Sequence, residues 1–271
     1  MIKALFFDLD GTLLNSQKKI SDKTRMTLEK CRQKGYKLFI ATGRAPLLDK
    51  MLSWDEDTFA LFDGCVYNNG GCLVVGGRED YTAVPGEIVQ KIIDIVENYT
   101  DVNIALQTKC RRHAFRIPLN ESDYIRWGAH GEALTLKSGI DAGVIKMLVF
   151  CGNLIDSVLP IDEDLLVELE SACKDSARFY LTDKGRCVQI MEKSVSKVHG
   201  IEKICRHFAY NKDEVAVFGD DLNDAEMLSF YPCSVAMGNA EAATKNIAKH
   251  VTTDNDSEGI HEAICNILKL L

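Results

Sequence analysis

A short apolar run leads directly into two closely spaced carboxylates: Ile2–Phe7 is followed by Asp8-Leu9-Asp10-Gly11-Thr12. The run predicts a buried strand. Side chains two positions apart on a strand point to the same side, so both carboxylates can face one pocket. The glycine allows a sharp turn, and the threonine supplies a hydroxyl just beyond it. One carboxylate that attacks and a second that transfers a proton can perform covalent catalysis, although such a pair also serves as a plain metal site.

Length and composition are those of a globular protein. The chain has 271 residues, 46% hydrophobic and 27% charged, which suffices for one large domain or two moderate ones. Its net charge of −8 argues against nucleic acid or an anionic membrane as a partner, because these favour a basic face. Ten scattered cysteines without C-x-x-C spacing predict reduced thiols. Since no apolar segment approaches the roughly 20 residues of a membrane span, we predict a cytoplasmic protein.

The order of the predicted elements indicates two domains. Strands alternate with helices in the first third of the chain and again from Cys187 onwards, which predicts a parallel sheet with helices on both faces. The residues between them have the pattern of an α+β module. We therefore predict an α/β fold with a core of residues 1–81 and 185–271 and an inserted domain of residues 82–184. Phe59–Phe62 is predicted as a core strand, and the apolar run Val188–Met191 falls within the predicted core.

Groups suited to phosphoryl transfer occur at four points of the predicted core, after strands or at helix starts. They are Asp8-x-Asp10, Thr42-Gly43, Lys197 and Gly219-Asp220-Asp221-Leu222-Asn223-Asp224. Phosphoryl transfer requires a nucleophile, a proton donor, positive charge near the phosphate and a divalent cation. Asp8 would attack phosphorus to form an aspartyl-phosphate. Asp10 would protonate the leaving alcohol and later help to activate water.

Three of these features are candidates for binding the phosphate. Thr42 and the Gly43 N–H, at a predicted strand-to-helix turn, would bind phosphate oxygens with the dipole of the following helix assisting. Lys197 would supply a point charge to the phosphate and to Asp8, and Asn223 would donate a hydrogen bond. Each of these residues would thereby help to hold the phosphate.

The acidic groups fit a divalent cation. Asp8, the Asp10 carbonyl and Asp220 offer the hard oxygen ligands that Mg²⁺ prefers, with water completing the shell. Asp224 would orient Lys197 or a metal-bound water. Asp221 is either a further group behind the metal ligands or the N-cap of the next helix.

These motifs, in this order, resemble the four motifs of the haloacid dehalogenase superfamily. The insertion between the second and third motifs is similar to that of the Cof-type sugar-phosphatase branch. Three further stretches support that branch: Asn68–Gly71, Ala236–Ala240 and Thr252–Ile260. The resemblance implies a Rossmann-like parallel-sheet core with an inserted cap domain that selects the leaving group.

The resemblance also implies a reaction, which is the Mg²⁺-dependent hydrolysis of small phosphorylated metabolites, either sugar phosphates or phosphorylated cofactors. It assigns the nucleophile, acid/base and metal roles as above and adds Leu9 to the phosphate-binding residues. Asn68 and Asn69 are either simple turn residues or contacts to the substrate. Two other functions stay open: a phosphomutase of the same superfamily and a catalytically weak phosphate-binding module. Dehalogenation fits less well, because the acid and the metal ligands suit a phosphoryl group. No oligomeric state is predicted.

Overall fold

The computed structural model describes residues 1–129, 133–152, 159–183 and 185–271 and divides the chain into two compact units. The first unit contains Met1–Arg44, Trp54–Asp80 and Ser196–Leu271, and the second contains Ala45–Ser53 and Tyr81–Val195. Residue 184, the predicted end of the inserted domain, lies outside the described residues. The domain borders given by the sequence stay a prediction.

Strands and helices alternate along most of the chain. The strands are β1 Ala4–Phe7, β2 Lys37–Ala41, β3 Gly64–Tyr67, β4 Cys72–Val75, β5 Arg78–Tyr81, β6 Val102–Thr108, β7 His113–Phe115, β8 Val144–Cys151, β9 Ala177–Thr182, β10 Cys187–Glu192, β11 Val215–Gly219, β12 Cys233–Ala236 and β13 His250–Val251. The helices are α1 Asp22–Gln33, α2 Leu48–Leu52, α3 Glu56–Phe59, α4 Gly86–Val96, α5 Glu121–Arg126, α6 Leu136–Asp141, α7 Glu163–Cys173, α8 Lys197–Phe208, α9 Ala225–Phe230, α10 Ala242–Ile247 and α11 Gly259–Glu262.

An eight-stranded sheet of order β13-β12-β11-β1-β2-β3-β4-β5 forms the centre of the first unit. Strand β1 is apolar and completely buried, as expected for a strand covered on both faces. It pairs in parallel with β2 and β11, and its Phe6 and Phe7 stack on Phe39 and Phe218 at ring-centroid distances of 4.6 and 4.7 Å. The carboxyl ends of these three strands therefore lie together, where ligands bind in open α/β sheets.

Helix α8 is fixed against this sheet at its first turn. Ser196 caps the helix by accepting a hydrogen bond from the His199 N–H at 3.2 Å. A Cβ at Gly200 would lie 2.5 Å from Val66 Cγ1, so the missing side chain allows the helix to approach β3 closely. Apolar residues of the same helix, including Ile201, belong to the core cluster beneath it. The first residue of α8, Lys197, is thereby held in a defined position.

The second unit is built on a five-stranded antiparallel sheet of order β7-β6-β8-β10-β9. Apolar residues of α4 and α7 form one core cluster with the strands. A second cluster contains Phe115, Trp127 and Phe150, and Trp127 lies 5.2 Å and 5.7 Å from the two phenylalanine rings. The prediction of an α/β fold with an α+β insertion is confirmed.

The prediction of a strand at Phe59–Phe62 is wrong. The structure has helix α3 at Glu56–Phe59, followed by a turn. Asp55 caps this helix, because its carboxylate accepts hydrogen bonds from the Thr58 N–H at 2.8 Å and the Thr58 hydroxyl at 2.6 Å. Trp54 packs on the rings of Phe59 and Phe62. The two phenylalanines are thus packed against Trp54 from a turn of helix and the following loop rather than from a strand.

The apolar run Val188–Met191, which falls within the predicted core, belongs to the other sheet in the structure. This segment is part of β10, which pairs antiparallel with β8 and β9 in the second unit. Val188 and Ile190 belong to the cluster beneath α4 and α7. An apolar run alone cannot show which sheet a strand joins, and here the cross-strand pairing determines it.

Candidate active site

Asp8, Lys197 and Asp224 form a buried cluster of charges at the carboxyl ends of β1 and β11. The Lys197 ammonium donates to Asp8 Oδ1 at 2.5 Å and to Asp224 Oδ1 at 2.6 Å. The three residues are 5%, 1% and 0% exposed. Charges shielded from water interact strongly, so the nucleophile candidate is held in one orientation by the predicted phosphate-binding lysine.

Asp224 also orders the turn that carries Asp220. Its Oδ2 accepts hydrogen bonds from the N–H groups of Asp220 at 3.0 Å and Asp221 at 3.2 Å. A Cβ at Gly219 would lie 2.6 Å from Asp224 Cβ, so only glycine fits there without displacement. The Asp221 carboxylate accepts from the Leu222 N–H at 2.8 Å and caps the short 3₁₀ turn Leu222–Asp224.

Asp220 lies directly over the turn that follows the Asp8-x-Asp10 pair. The Thr12 hydroxyl donates to its Oδ1 at 2.7 Å. Gly11 has a φ of +79°, and a Cβ on this residue would overlap the Asp220 carboxylate. The glycine is therefore required both by its left-handed backbone and by the close approach of the acid.

Burial is the largest influence on the pKa values of these acids. It raises the pKa of Asp8 well above its ordinary value, against the opposing charge of Lys197 and together with the charges of Asp224 and Asp220. Burial also raises the pKa of Asp220 to about 7, although the Thr12 hydroxyl opposes this shift. Burial lowers the pKa of Lys197, but Asp224 and Asp8 outweigh it, so its pKa lies above the ordinary value.

The same cluster fits a divalent cation. Within the described part of the chain, Asp8, Asp220 and Asp224 each offer a ligand atom, and these atoms lie within 4.8 Å of one another. Three carboxylates share one buried ammonium, so the cluster carries an excess of negative charge. A hard cation would compensate this charge, and carboxylate oxygens are the ligands that Mg²⁺ prefers.

The Asp10 carboxylate points to a separate pair of cations. Arg44 donates from Nε to Oδ2 at 2.6 Å and from its terminal nitrogen to Oδ1 at 2.7 Å, and Lys18 Nζ lies 2.7 Å from Oδ1. Burial raises the pKa of Asp10, but the hydrogen bonds and charge of Arg44, with those of Lys18, outweigh it and lower the pKa to about 2. Asp10 is thus a carboxylate at neutral pH.

The two asparagine candidates lie beside the predicted phosphate loop. The Asn69 N–H donates to the Thr42 carbonyl at 3.0 Å, and the Asn68 N–H donates to the Arg44 carbonyl at 2.9 Å. Both asparagines are buried and have positive φ, a conformation that asparagine tolerates better than most residues. Asn223 Nδ2 donates to Asn69 Oδ1 at 3.2 Å, so these predicted residues meet in one place.

The predicted helix dipole behind Thr42 and Gly43 is wrong. Strand β2 ends at Ala41, whereas the next helix begins only at Leu48 and has five residues. The segment between them is stabilised differently, because Thr42 Oγ1 accepts a hydrogen bond from the Arg44 N–H at 3.1 Å. Local hydroxyl-to-backbone bonding, rather than a helix N-terminus, shapes this loop.

Arg44 and Lys18 are the site residues that the sequence analysis missed. Arg44 directly follows Thr42-Gly43 in the sequence, so its place next to the predicted phosphate loop was a usable signal. Lys18 lies in a turn after the first motif and carries no pattern of its own. The Asn15 carboxamide oxygen stabilises that turn by accepting from the Gln17 N–H at 3.1 Å and the Lys19 N–H at 3.0 Å.

Comparison with known proteins assigns the family. The sequence profile of haloacid dehalogenase-like hydrolases matches residues 5–264, so the chain belongs to that family. It is 26% identical to the 5-amino-6-(5-phospho-D-ribitylamino)uracil phosphatase YitU of Bacillus subtilis, over 93% of each chain. The superfamily and the hydrolase class predicted from the motifs are confirmed.

Solved structures agree with this assignment. The HAD subclass IIB sugar phosphatase BT4131 is 28% identical, with a TM-score of 0.80 over 98% of this chain and 99% of that one. A protein from crystallographic work on a conserved trigonal-bipyramidal intermediate in a phosphoryl-transfer superfamily is 27% identical, with a TM-score of 0.81 over 99% and 100% of the two chains. The prediction of a phosphoric monoester hydrolase is confirmed at the level of enzyme class. Across the described ranges, none of the helices combines the length and the apolar character needed to cross a bilayer.

Proposed function

We propose that this chain is a Mg²⁺-dependent phosphatase that hydrolyses small phosphorylated metabolites through an aspartyl-phosphate on Asp8. The observation that carries this proposal is the buried Asp8–Lys197 pair, 2.5 Å between Oδ1 and Nζ, beside two further carboxylates. A largely buried carboxylate with a fixed orientation is suited to in-line attack on phosphorus.

In the first step an Asp8 oxygen forms a bond to phosphorus while the bond to the leaving oxygen breaks. Lys197 keeps Asp8 in place and offers positive charge to the equatorial phosphate oxygens. Leu9, Thr42, Gly43 and Asn223 are the remaining groups proposed to bind these oxygens. When bound by Asp8, Asp220 and the Asp10 carbonyl, Mg²⁺ would supply positive charge that keeps the carboxylates ionised and screens the phosphate.

Asp10 is the proposed acid/base group. In the first step it protonates the leaving alkoxide. In the second step it takes a proton from a water molecule that attacks phosphorus, and this attack breaks the bond between phosphorus and the Asp8 oxygen and releases phosphate. Because its contacts with Arg44 and Lys18 keep Asp10 ionised, it can accept a proton as a base. To act as an acid, it must separate from these cations or share them with the negative charge of the bound phosphate.

The proposed substrates are sugar phosphates or phosphorylated cofactors. The two named relatives support this class, since one is a phosphatase of a phosphorylated ribityl compound and the other a sugar phosphatase. The net charge of −8 argues against nucleic acid and anionic membranes as partners. We further propose a cytoplasmic enzyme, because all ten cysteines are free, as is typical of a reducing compartment.

Phosphate release from a panel of small phosphate esters, with Mg²⁺ or with a chelator, tests the proposal. We expect Mg²⁺-dependent release from one or a few esters, and loss of turnover in Asp8→Asn without loss of the folded state. Wild-type turnover in Asp8→Asn would refute the nucleophile assignment. No release by the folded wild-type protein would favour a phosphomutase or a binding module.

A further inference from the structure

The Asp220 carboxylate has a second hydrogen-bond donor, Asn239, from the loop after β12. Asn239 Nδ2 lies 3.3 Å from Asp220 Oδ2 and 2.9 Å from the Gly11 carbonyl oxygen, so one amide group reaches both the acid and the turn below it. The other end of the same side chain is also bound, because Asn239 Oδ1 accepts from the Asn255 N–H at 3.1 Å. The amide is therefore oriented from both ends.

Thr12 and Asn239 contact different oxygens of Asp220. Thr12 donates to Oδ1 at 2.7 Å, and Asn239 donates to Oδ2 at 3.3 Å. A carboxylate held on both oxygens has a fixed plane, whereas one held by a single hydroxyl can rotate about the Cβ–Cγ bond. Thr12 and Asn239 are far apart in the sequence. The plane of the Asp220 carboxylate is therefore fixed by the tertiary structure of the unit and not by the turn that carries Asp220 alone.

The backbone that carries Asn239 is itself tightly packed. The Gly238 N–H donates to the Thr253 carbonyl at 3.0 Å, and a Cβ at Gly238 would lie 2.6 Å from the Asp254 nitrogen. The loop after β12 thus lies directly against residues 253–254. An exposed asparagine on such a support loses little conformational freedom when it bonds to Asp220.

We propose that Asn239 is a positioning residue that sets the plane of the Asp220 carboxylate for binding a divalent cation. The inference rests on the proposed function, in which Asp220 is a metal ligand. Hydrogen bonds to a ligating carboxylate orient it before the metal arrives, and loss of such a partner commonly weakens metal binding by about 10–100-fold. We expect the lower end of this range, because Asn239 is exposed and water competes for its hydrogen bonds.

Asn255 provides a matched control from the same network. Its side-chain Nδ2 donates to the Leu14 carbonyl at 2.8 Å, so Asn255→Ala also removes one tie to the turn after the first motif. Its backbone N–H, which holds Asn239, is kept in this variant. The comparison separates the contact with Asp220 from general support of the turn.

The test measures Mn²⁺ binding to the purified full chain by electron paramagnetic resonance of the free ion, with Mg²⁺ as competitor. We expect Mn²⁺ affinity to fall about tenfold in Asn239→Ala and in the similarly sized Asn239→Leu, and to change less than twofold in Asn255→Ala. Urea midpoints measured without metal should agree among these variants, which shows that the fold is kept.

Two results would overturn the inference. One is wild-type Mn²⁺ affinity in both Asn239 variants, and the other is an equal loss in Asn255→Ala, which would indicate general support of the turn. Asp220→Asn distinguishes a failure of the proposed function. If the wild type binds no Mn²⁺, or if Asp220→Asn binds it unchanged, Asp220 is not a metal ligand and both proposals fail together.

Discussion

Replacing Lys197 by methionine tests the electrostatics of the buried cluster most directly. Methionine has a similar length but no charge, so the substitution leaves the helix face filled and removes only the ammonium. Asp8 and Asp224 then lose hydrogen bonds of 2.5 and 2.6 Å. Three carboxylates within reach of one another would have no buried cation between them.

The expected cost follows from this loss. Removing one partner of a buried ion pair typically destabilises a protein by about 3–5 kcal/mol, because the remaining charge is left without compensation. Both acids are buried, which favours the upper half of that range near neutral pH. Protonation of the acids relieves the cost, so the destabilisation should depend on pH.

The direction of this dependence follows from the pKa of Asp8. Its pKa in the folded state is raised by burial, above about 3.9 in the unfolded chain. The folded state therefore binds the Asp8 proton more tightly than the unfolded chain does. This tighter binding stabilises the fold at low pH, and the stabilisation is lost as pH rises through the folded-state pKa. Without Lys197 that pKa rises further. The difference in the free energy of unfolding between Lys197→Met and the wild type should grow from about pH 5 to about pH 8.

Urea unfolding at about pH 5 and about pH 8, with a chelator present, measures the difference in the free energy of unfolding between the variant and the wild type. Lys203→Met is the matched control on the same helix, since Lys203 Nζ forms an exposed pair with Asp80 at 3.1 Å. Such surface pairs contribute about 0–1 kcal/mol. If Lys197→Met unfolds within about 1 kcal/mol of the wild type at both pH values, the lysine does not compensate the buried acids and the reasoning fails.

Two other substitutions test the turn and the acid/base residue. Gly11→Ala should destabilise the protein and abolish Mn²⁺ binding, because its Cβ would displace Asp220. Gly35→Ala is the control, because Gly35 also has a positive φ but no atom lies within 4 Å of the added Cβ. It should cost only about 1 kcal/mol of backbone strain. Equal urea midpoints for the two variants would contradict the proposed overlap of the Gly11 Cβ with Asp220. Arg44→Met should raise the pKa of Asp10 from about 2. In the wild type, the low pKa of Asp10 stabilises the folded state at pH values above the pKa of the unfolded chain, and this stabilisation is lost as pH falls towards about 2. The variant should therefore be less stable than the wild type at neutral pH and equally stable in strong acid. An unchanged pH dependence of urea unfolding would refute this pairing.

The sequence predicted the core well where local signals and tertiary structure agree. Strand β1 is the apolar run before Asp8, as predicted. Lys197 was predicted at a helix start, and it is the first residue of α8. Asp8, Lys197 and Asp224, which come from three separate motifs, are in contact in the folded chain.

Several failures concern strand pairing and loop shape, which short stretches of sequence do not determine. Strand β10 has the same apolar pattern as a core strand, and only its pairing with β8 and β9 assigns it to the second unit. The hairpin of β4 and β5 was missed, although Gly76 and Gly77 both have positive φ and form the kind of two-residue turn that such hairpins favour. The contacts of Lys18 and Asn239 depend on loops whose shape no short motif encodes.

The central position of β1 has a consequence for synthesis of the protein. Asp8 lies near the start of the chain, yet its partner Lys197 follows 189 positions later, and β11, which covers one edge of β1, is later still. A growing chain that ends before residue 197 exposes this apolar edge and has no lysine beside Asp8. Long-range pairing of this kind forms slowly, and an unpaired edge invites association with other chains. The Asp8–Lys197 pair and the cover of this edge of β1 therefore both form only after the segment with Lys197 and β11 has left the ribosome.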